Sequence, residues 1–209
     1  MEIKKKCARW FSRRGAIALI MALIAAMPVS AQSAKEILDK AAAVVSAKQG
    51  AQANFAIVGQ NMNTSGTIAI KGRKFRATTP QAIIWYDGKT QWTYMKKNDE
   101  VNVATPNETQ QAAINPYNFI YMYKKGYKYT TEKKGSNYIA HLTANTQKYI
   151  VEMYITIDQK SYIPSQIRYR TAKGWTNIEI SNFKQMLIPD GTFRFNAKEY
   201  PNAEVIDLR

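Results

Sequence analysis

Few side chains in this chain have the types and spacing that acid–base or nucleophilic chemistry requires. His141 is the only histidine, and its neighbours alternate as in a strand. A lone strand histidine is usually structural, because metal sites and catalytic triads need several partners. Glu152 and Asp158 fall on one face of a predicted strand, whereas a glycosidase needs two carboxylates facing each other across a cleft.

The single cysteine, Cys7, lies close to the N-terminus, so the rest of the chain offers neither a thiol nucleophile nor a disulfide. Gly66, Gly72 and Gly88 lack the spacing of a phosphate loop before a helix. We therefore predict a protein that is not an enzyme and has no cofactor or metal. The enzymatic alternative is an exported hydrolase that uses His141, Glu152 and Asp158.

The N-terminus has the pattern of an export signal. Basic residues between Lys4 and Arg14 precede an apolar run from Ala16 to Val29, which is short for a membrane span. Val29 to Ala31 is a small-x-small cleavage site, so we predict a cleaved signal over 1–31 and one domain over 32–209. Residue 32 is Gln32 rather than cysteine, which predicts an unlipidated periplasmic protein. An uncleaved membrane anchor is the alternative.

The chain is strongly basic, with a formal net charge of +15. Without the six basic residues and one acidic residue of 1–31, the charge is still +10. In an exported protein such a charge favours anionic lipid headgroups or an acidic partner over nucleic acid. A charge that only aids solubility is the alternative.

The residues from Phe75 to Tyr94 predict an aromatic hairpin that turns at Asp87-Gly88. A two-residue turn would place Tyr86 opposite Lys89 and Trp85 opposite Thr90. Because strand side chains alternate, one face would then hold Ile83, Trp85, Trp92 and Tyr94. Aromatic area of this size needs a cover, either an ordinary core or a ligand.

The rest of the chain predicts a mainly β domain with two helical parts. Ser33 to Glu36 form a capping box before an amphipathic helix over 33–48. A helical insertion over 107–125, with a hinge at Asn115-Pro116, could act as a lid. Pro189 to Gly191 predict a turn before Phe193 and Phe195. Roughly ten short antiparallel strands favour a barrel or a sandwich.

The stretch Tyr117–Lys134 places tyrosines between lysines, a composition suited to a membrane interface or an acidic partner. A solvated strand face is the alternative. The interleaved residues are Tyr121, Tyr123, Lys124, Lys125, Tyr127, Lys128, Tyr129, Lys133 and Lys134.

The hairpin Ile83–Tyr94 resembles the central hairpin of the LolA family, the periplasmic carriers of outer-membrane lipoproteins. Gly66–Arg76 resembles the family's preceding strands, Asn115–Ile120 its lid segment and Val205–Arg209 its C-terminus. The resemblance implies an incomplete antiparallel barrel whose concave face is covered by the N-terminal helix and the lid.

The resemblance also implies how such a protein works. An apolar cavity takes lipoprotein acyl chains from an inner-membrane lipoprotein-releasing transporter, and the monomeric carrier passes them to an outer-membrane acceptor. We predict transient membrane contact and no nucleic-acid partner. A carrier or sensor for another amphiphile, such as a phospholipid or glycolipid, is the second hypothesis.

The residues predicted to form the binding site fall into three groups. The predicted cavity lining is Phe55, Ile57, Ile68, Ile70, Phe75, Ile83, Trp85, Trp92 and Tyr94, and the predicted lid contacts are Tyr117, Phe119, Ile120 and Met122. Family members often hold the lid with an arginine followed by proline after the second strand. Here Lys71 to Lys74 contain no proline, and Arg73 is the nearest candidate latch.

Overall fold

Helix α1 forms where the sequence predicts it, over Ala34–Val45. The Glu36 amide donates to the Ser33 hydroxyl at 3.2 Å, and the Ser33 amide donates to the Glu36 carboxylate at 2.9 Å. Both halves of the capping box are therefore present. The helix ends before the predicted residue 48, at Ser46, whose hydroxyl donates to the Ala42 carbonyl.

This computed structural model describes residues 32–59, 62–107, 110, 117 and 122–209. The described strands form one twelve-stranded sheet. Their bounds are β1 Ala51–Gly59, β2 Met62–Lys71, β3 Lys74–Thr78, β4 Ala82–Tyr86, β5 Gln91–Met95, β6 Glu100–Ala104, β7 Tyr127–Lys134, β8 Asn137–Ala144, β9 Glu152–Asp158, β10 Pro164–Thr171, β11 Gly174–Gln185 and β12 Glu204–Asp207. Short 3₁₀ helices cover Asp190–Phe193 and Ala197–Glu199.

The strand order is β12-β6-β5-β4-β3-β2-β1-β11-β10-β9-β8-β7. The described sheet is open, since its end strands β12 and β7 do not pair with each other, and it is consistent with an incomplete barrel. This confirms a mainly β fold. Two details differ from the prediction: the described strands number twelve rather than about ten, and β12 runs parallel to β6.

The β4–β5 hairpin forms as predicted, but its predicted register is wrong by two residues. Trp85 pairs with Trp92, and Tyr86 pairs with Gln91 rather than Lys89. The turn is longer because Asp87 organises it: its carboxylate accepts from the Lys89 amide at 3.0 Å and the Thr90 amide at 2.9 Å. A shift of two preserves side-chain alternation, so Ile83, Trp85, Trp92 and Tyr94 do share a face.

Cross-strand pairing assigns every strand residue to one of two faces. Ile70 pairs with both Ala51 and Phe75, and Phe75 pairs with Tyr86. We call the face that holds these residues the inner face, because its buried side chains form one core with α1. Trp85 pairs with Arg76 and so lies on the opposite, outer face.

Candidate functional site

The inner face is a continuous apolar surface that runs across most of the sheet. Five of the nine residues predicted as cavity lining lie in the core that this face shares with α1 or pack against it. Their strands adjoin one another, since Phe55 of β1 pairs with Ile180 of β11 and Ile70 of β2 pairs with Phe75 of β3. The five residues are Phe55, Ile57, Ile68, Ile70 and Phe75.

The other half of the inner face is supplied by β7 to β11. Ile167 pairs with Ile155 and Ile178, and Met153 pairs with Leu142. The alternation of these strands is visible in the sequence, but nothing in it indicates that they share a surface with Phe75. The residues of this half that are buried in the core are Tyr127, Tyr138, Ala140, Leu142, Met153, Ile155, Ile157, Ile167, Tyr169, Ile178 and Ile180.

Helix α1 covers this half of the inner face. It packs mainly on β7 and β8, and its buried residues are Ile37, Leu38, Ala41, Ala42 and Val45. At the helix surface, the Tyr123 hydroxyl donates to the Asp39 carboxylate, and Lys35 pairs with Asp39 at 2.6 Å. The hydrogen bond from Lys35 and, to a smaller extent, the one from Tyr123 hold the pKa of Asp39 below its usual value.

Two predicted lid residues can be placed, and both meet the inner face. Tyr117 is buried, and its ring centroid lies 6.5 Å from that of Phe183. Met122 is half-buried against the same core. Phe119, Ile120 and the hinge at 115–116 lie outside the described residues, so the lid itself stays a prediction.

The four hairpin residues are not where the lining prediction places them. Ile83, Trp85, Trp92 and Tyr94 lie on the outer face, because Phe75 pairs with Tyr86 and not with Trp85. Their grouping with Phe75 is therefore wrong. The alternation within the hairpin is as predicted, but the sequence does not indicate which of its faces continues the surface of β1 to β3.

The C-terminal segment, residues 186–203, covers two of these outer residues, Trp85 and Tyr94. Trp85 meets Phe195 and Tyr200 with ring centroids 5.6 Å away in each case, and Tyr94 meets Tyr200 at 4.7 Å. We call Trp85, Trp92, Tyr94, Phe195 and Tyr200 the outer aromatic cluster. Phe193 and Phe195 are visible in the sequence after a predicted turn, but their partner is not.

Ion pairs fix the C-terminal segment to the strand ends. Asp190 contacts Lys71 at 3.0 Å and Lys74 at 3.2 Å, and Arg194 contacts Asp87 at 3.2 Å. Desolvation opposes ionisation of Asp87, but hydrogen bonds from the turn amides and the charge of Arg194 lower its pKa overall. The segment then leads into β12, which pairs with β6.

Arg73, the candidate latch, is exposed in the β2–β3 turn. Its charge acts on the Tyr86 hydroxyl, whose pKa is nevertheless raised because burial outweighs that charge. Tyr86 lies on the inner face. The charge of Arg73 therefore reaches a residue of the inner face, and its role as a latch stays a prediction.

The residues of the hydrolase hypothesis are only partly brought together, on the outer face. His141 Nε2 lies 3.0 Å from the Glu152 carboxylate, which also accepts from Tyr154 at 3.1 Å and pairs with Arg170 at 2.9 Å. Asp158 instead organises the β9–β10 turn by accepting from the Ser161 amide and hydroxyl. Among the described residues, no cluster of histidine and acidic side chains could hold a metal ion.

The family is decided by the sequence match. Residues 24–173 match the family described as outer membrane lipoprotein carrier protein LolA. The chain belongs to the LolA family. No curated protein matches it, and within the part of the chain that the structure describes no helix has the length and apolar character needed to cross a membrane.

One solved structure has the same fold at low identity. An uncharacterized conserved protein from Thermus thermophilus has a TM-score of 0.58 at 15% identity, with 84% of this chain and 99% of that chain covered. A LolA superfamily protein from Nitrosomonas europaea has a TM-score of 0.46 at 14% identity, covering 79% of this chain and 99% of that chain. The first likeness establishes a shared fold and nothing about function, and the second is too low to carry an argument.

Proposed function

We propose that this LolA-family protein carries lipoproteins through the periplasm, with their acyl chains held between the inner face and its cover. The observation that carries the proposal is the continuous apolar inner face beneath a short helix. Acyl chains cannot cross water unprotected, because each CH₂ left in water costs about 0.8 kcal/mol. An aliphatic and aromatic surface provides that protection without directional bonds.

The inner face is suited to a neutral ligand because its tyrosines stay uncharged. Burial raises the pKa of Tyr127 to about 12, and it also raises the pKa of Tyr117 and Tyr169. The Tyr127 hydroxyl donates to the Ile150 carbonyl at 2.8 Å, so this polar group is satisfied within the protein. A hydrocarbon chain against these rings meets apolar ring faces and no buried phenolate.

Binding beneath α1 requires the helix to move, because the half of the inner face that it covers is closed in this structure. Leu142, Met153 and Ile155 are each 0% exposed. Helix α1 is a suitable moving part because it is only 12 residues long and keeps its own backbone hydrogen bonds when it moves. Two of its five buried side chains are the small Ala41 and Ala42, whose separation from the sheet exposes little apolar area.

Release at the outer membrane requires only a modest affinity, since the chains then enter another apolar environment. By family membership, we propose an inner-membrane transporter as donor and an outer-membrane acceptor as recipient. We propose the periplasm as the protein's location on the same grounds. The predicted signal over 1–31 lies outside the described residues. Transfer of this kind involves no covalent step, so we propose a binding protein rather than an enzyme.

Neighbouring residues of β1 provide a matched test of the site. Ile57 is on the inner face against the core, whereas Val58 is 56% exposed on the outer face. We expect Ile57→Thr to weaken binding of a fluorescent fatty acid about tenfold, because it removes apolar contact and adds a hydroxyl. Val58→Thr should leave affinity unchanged. Equal affinities for the two variants would contradict the proposal.

The cargo is tested separately by competition. Purified triacylated lipoprotein should displace the fluorescent fatty acid, and mass spectrometry of lipid extracted from the purified protein should find a triacylated peptide. Displacement by phospholipid alone, with only diacyl lipid extracted, would instead favour a carrier of another amphiphile on this fold.

A further inference from the structure

A basic surface borders α1 and the edge strand β7, at the rim of the apolar inner face. At one end, Lys40 lies 4.9 Å from the Tyr162 ring centroid and Lys133 lies 6.0 Å from that of Tyr138. The Tyr138 and Tyr162 rings stack with centroids 6.3 Å apart, so these two lysines belong to one surface.

The other end of this surface is formed by the residues before β7 and the β8–β9 connection. Lys124 lies 5.6 Å from the Tyr123 ring centroid, and Lys148 lies 5.3 Å from that of Tyr127. The Lys148 ammonium also donates to the Lys125 carbonyl at 3.3 Å. We call Lys40, Lys124, Lys125, Lys133 and Lys148 the lysine rim.

The described residues around the rim supply little negative charge to balance it. Asp39 faces it from α1 but is already bound by Lys35 and Tyr123, and Glu36 caps the helix start. Glu132 pairs with Ile139 on the outer face of β7, whereas Lys133 pairs with Tyr138 on the inner face. The rim therefore keeps an excess of positive charge.

We propose that the lysine rim docks this protein on an anionic phospholipid bilayer, with α1 next to the membrane. Lysine acts as a point charge, which suits a surface of many separate headgroups, whereas arginine favours bidentate recognition of single groups. Contact with the rings restrains the ammonium groups, so less side-chain entropy is lost on docking. Tyr149, half-exposed in the same connection as Lys148, supplies an aromatic side chain of the type found at membrane interfaces.

The test is flotation with vesicles of phosphatidylcholine, with and without phosphatidylglycerol. We expect binding only to vesicles that contain phosphatidylglycerol, and weaker binding at high salt. Lys124→Gln, Lys125→Gln and Lys148→Gln together should reduce partitioning roughly a hundredfold, since each lysine near an anionic membrane contributes about a fivefold factor. The corresponding triple arginine variant should keep binding, because it keeps the charge.

The matched control removes the same charge elsewhere. Three exposed lysines lie on other parts of the protein. Lys89 is in the β4–β5 turn, Lys97 is in the β5–β6 turn and Lys198 is in the C-terminal segment. Their triple glutamine variant should bind nearly as well as the unchanged protein. Because all variants share one N-terminus, any membrane affinity of that part cancels in the comparison.

Several outcomes would overturn the proposal. These are no binding to phosphatidylglycerol vesicles, an equal loss in the rim and control variants, or a rim that binds polyglutamate but not vesicles, which would indicate an acidic protein partner. Fatty-acid binding measured without vesicles should be unchanged in the rim variant. The membrane proposal and the carrier proposal can therefore fail independently.

Discussion

The two faces of the sheet both bury aromatic side chains, but their covers are attached in different ways. On the outer face, the C-terminal segment covers Trp85 and Tyr94, is fixed by the ion pairs of Asp190 and Arg194, and continues into β12. On the inner face, α1 lies on β7 and β8 without joining the sheet as a strand.

This difference teaches which aromatic surface is suited to a ligand. A cover that pairs with a strand at its end must break backbone hydrogen bonds to leave. Helix α1 keeps its own backbone bonds when it moves and loses only side-chain contacts. We therefore propose that the outer aromatic cluster serves stability and that the inner face serves binding.

The largest expected effect comes from truncation in the outer aromatic cluster. Trp85 is 3% exposed, and Trp85→Ala should lower the free energy of unfolding by about 3–5 kcal/mol, measured by urea denaturation. Fatty-acid affinity of the folded protein should not change. A loss of affinity in the folded variant would return Trp85 to the binding site.

Truncation of the cover itself should have a smaller effect. Tyr200 is half-buried and contacts Trp85, Tyr94 and Phe195. Each aromatic pair contributes about 0.5–1.5 kcal/mol, so loss of the three pairs in Tyr200→Ala should destabilise the fold by about 1.5–4.5 kcal/mol in the same urea experiment. An undiminished stability would show that the C-terminal segment is not a fixed cover.

Loosening of α1 should affect binding more than stability. Tyr123→Phe removes the hydrogen bond to Asp39 and should weaken closure of α1 by the net contribution of one hydrogen bond. If opening of α1 limits binding, the apparent affinity for a fluorescent fatty acid should rise up to about fivefold. Tyr129→Phe is the control, because it removes a hydroxyl from the neighbouring ring that contacts Tyr123. This variant should leave the affinity unchanged. A weaker affinity in Tyr123→Phe alone would contradict a moving α1.

The smallest effect on stability is expected at Asp87, in the turn that holds the C-terminal segment, and this effect should depend on pH. The pKa of Asp87 is lower in the folded protein, so its stabilisation is present above the unfolded pKa and is lost as the pH falls through the folded pKa. Asp87→Asn should remove about 1 kcal/mol at neutral pH and less in acid. Urea denaturation across this pH range checks it, and a constant difference at all pH values would contradict the assignment.

The sequence predicts local features well where neighbouring residues determine them. The capping box at Ser33 and the alternation within the hairpin depend on residues a few positions apart, and both are confirmed. The predicted hairpin register is wrong because the Asp87 side chain, rather than the Asp-Gly pair alone, sets the length of the turn.

The sequence does not predict which distant surfaces meet. Phe195 and Tyr200 lie far along the chain from Trp85, and nothing in their spacing points to the hairpin. The parallel pairing of β12 with β6 is equally non-local. The candidate site is therefore only partly predictable: the apolar residues predicted in β1 to β3 share the inner face, whereas Trp85 and Trp92 lie on the outer face. That the inner face binds acyl chains stays a prediction.

The central claim is that acyl chains bind on the inner face and not on the outer aromatic cluster. Photocrosslinking with a diazirine-labelled fatty acid, followed by peptide mapping, tests it most directly. We predict saturable labelling of inner-face strands and α1, with adducts near Phe55, Phe75 or Leu38. Labelling concentrated at Trp85 or Tyr200, or labelling that unlabelled fatty acid cannot compete away, would contradict the claim.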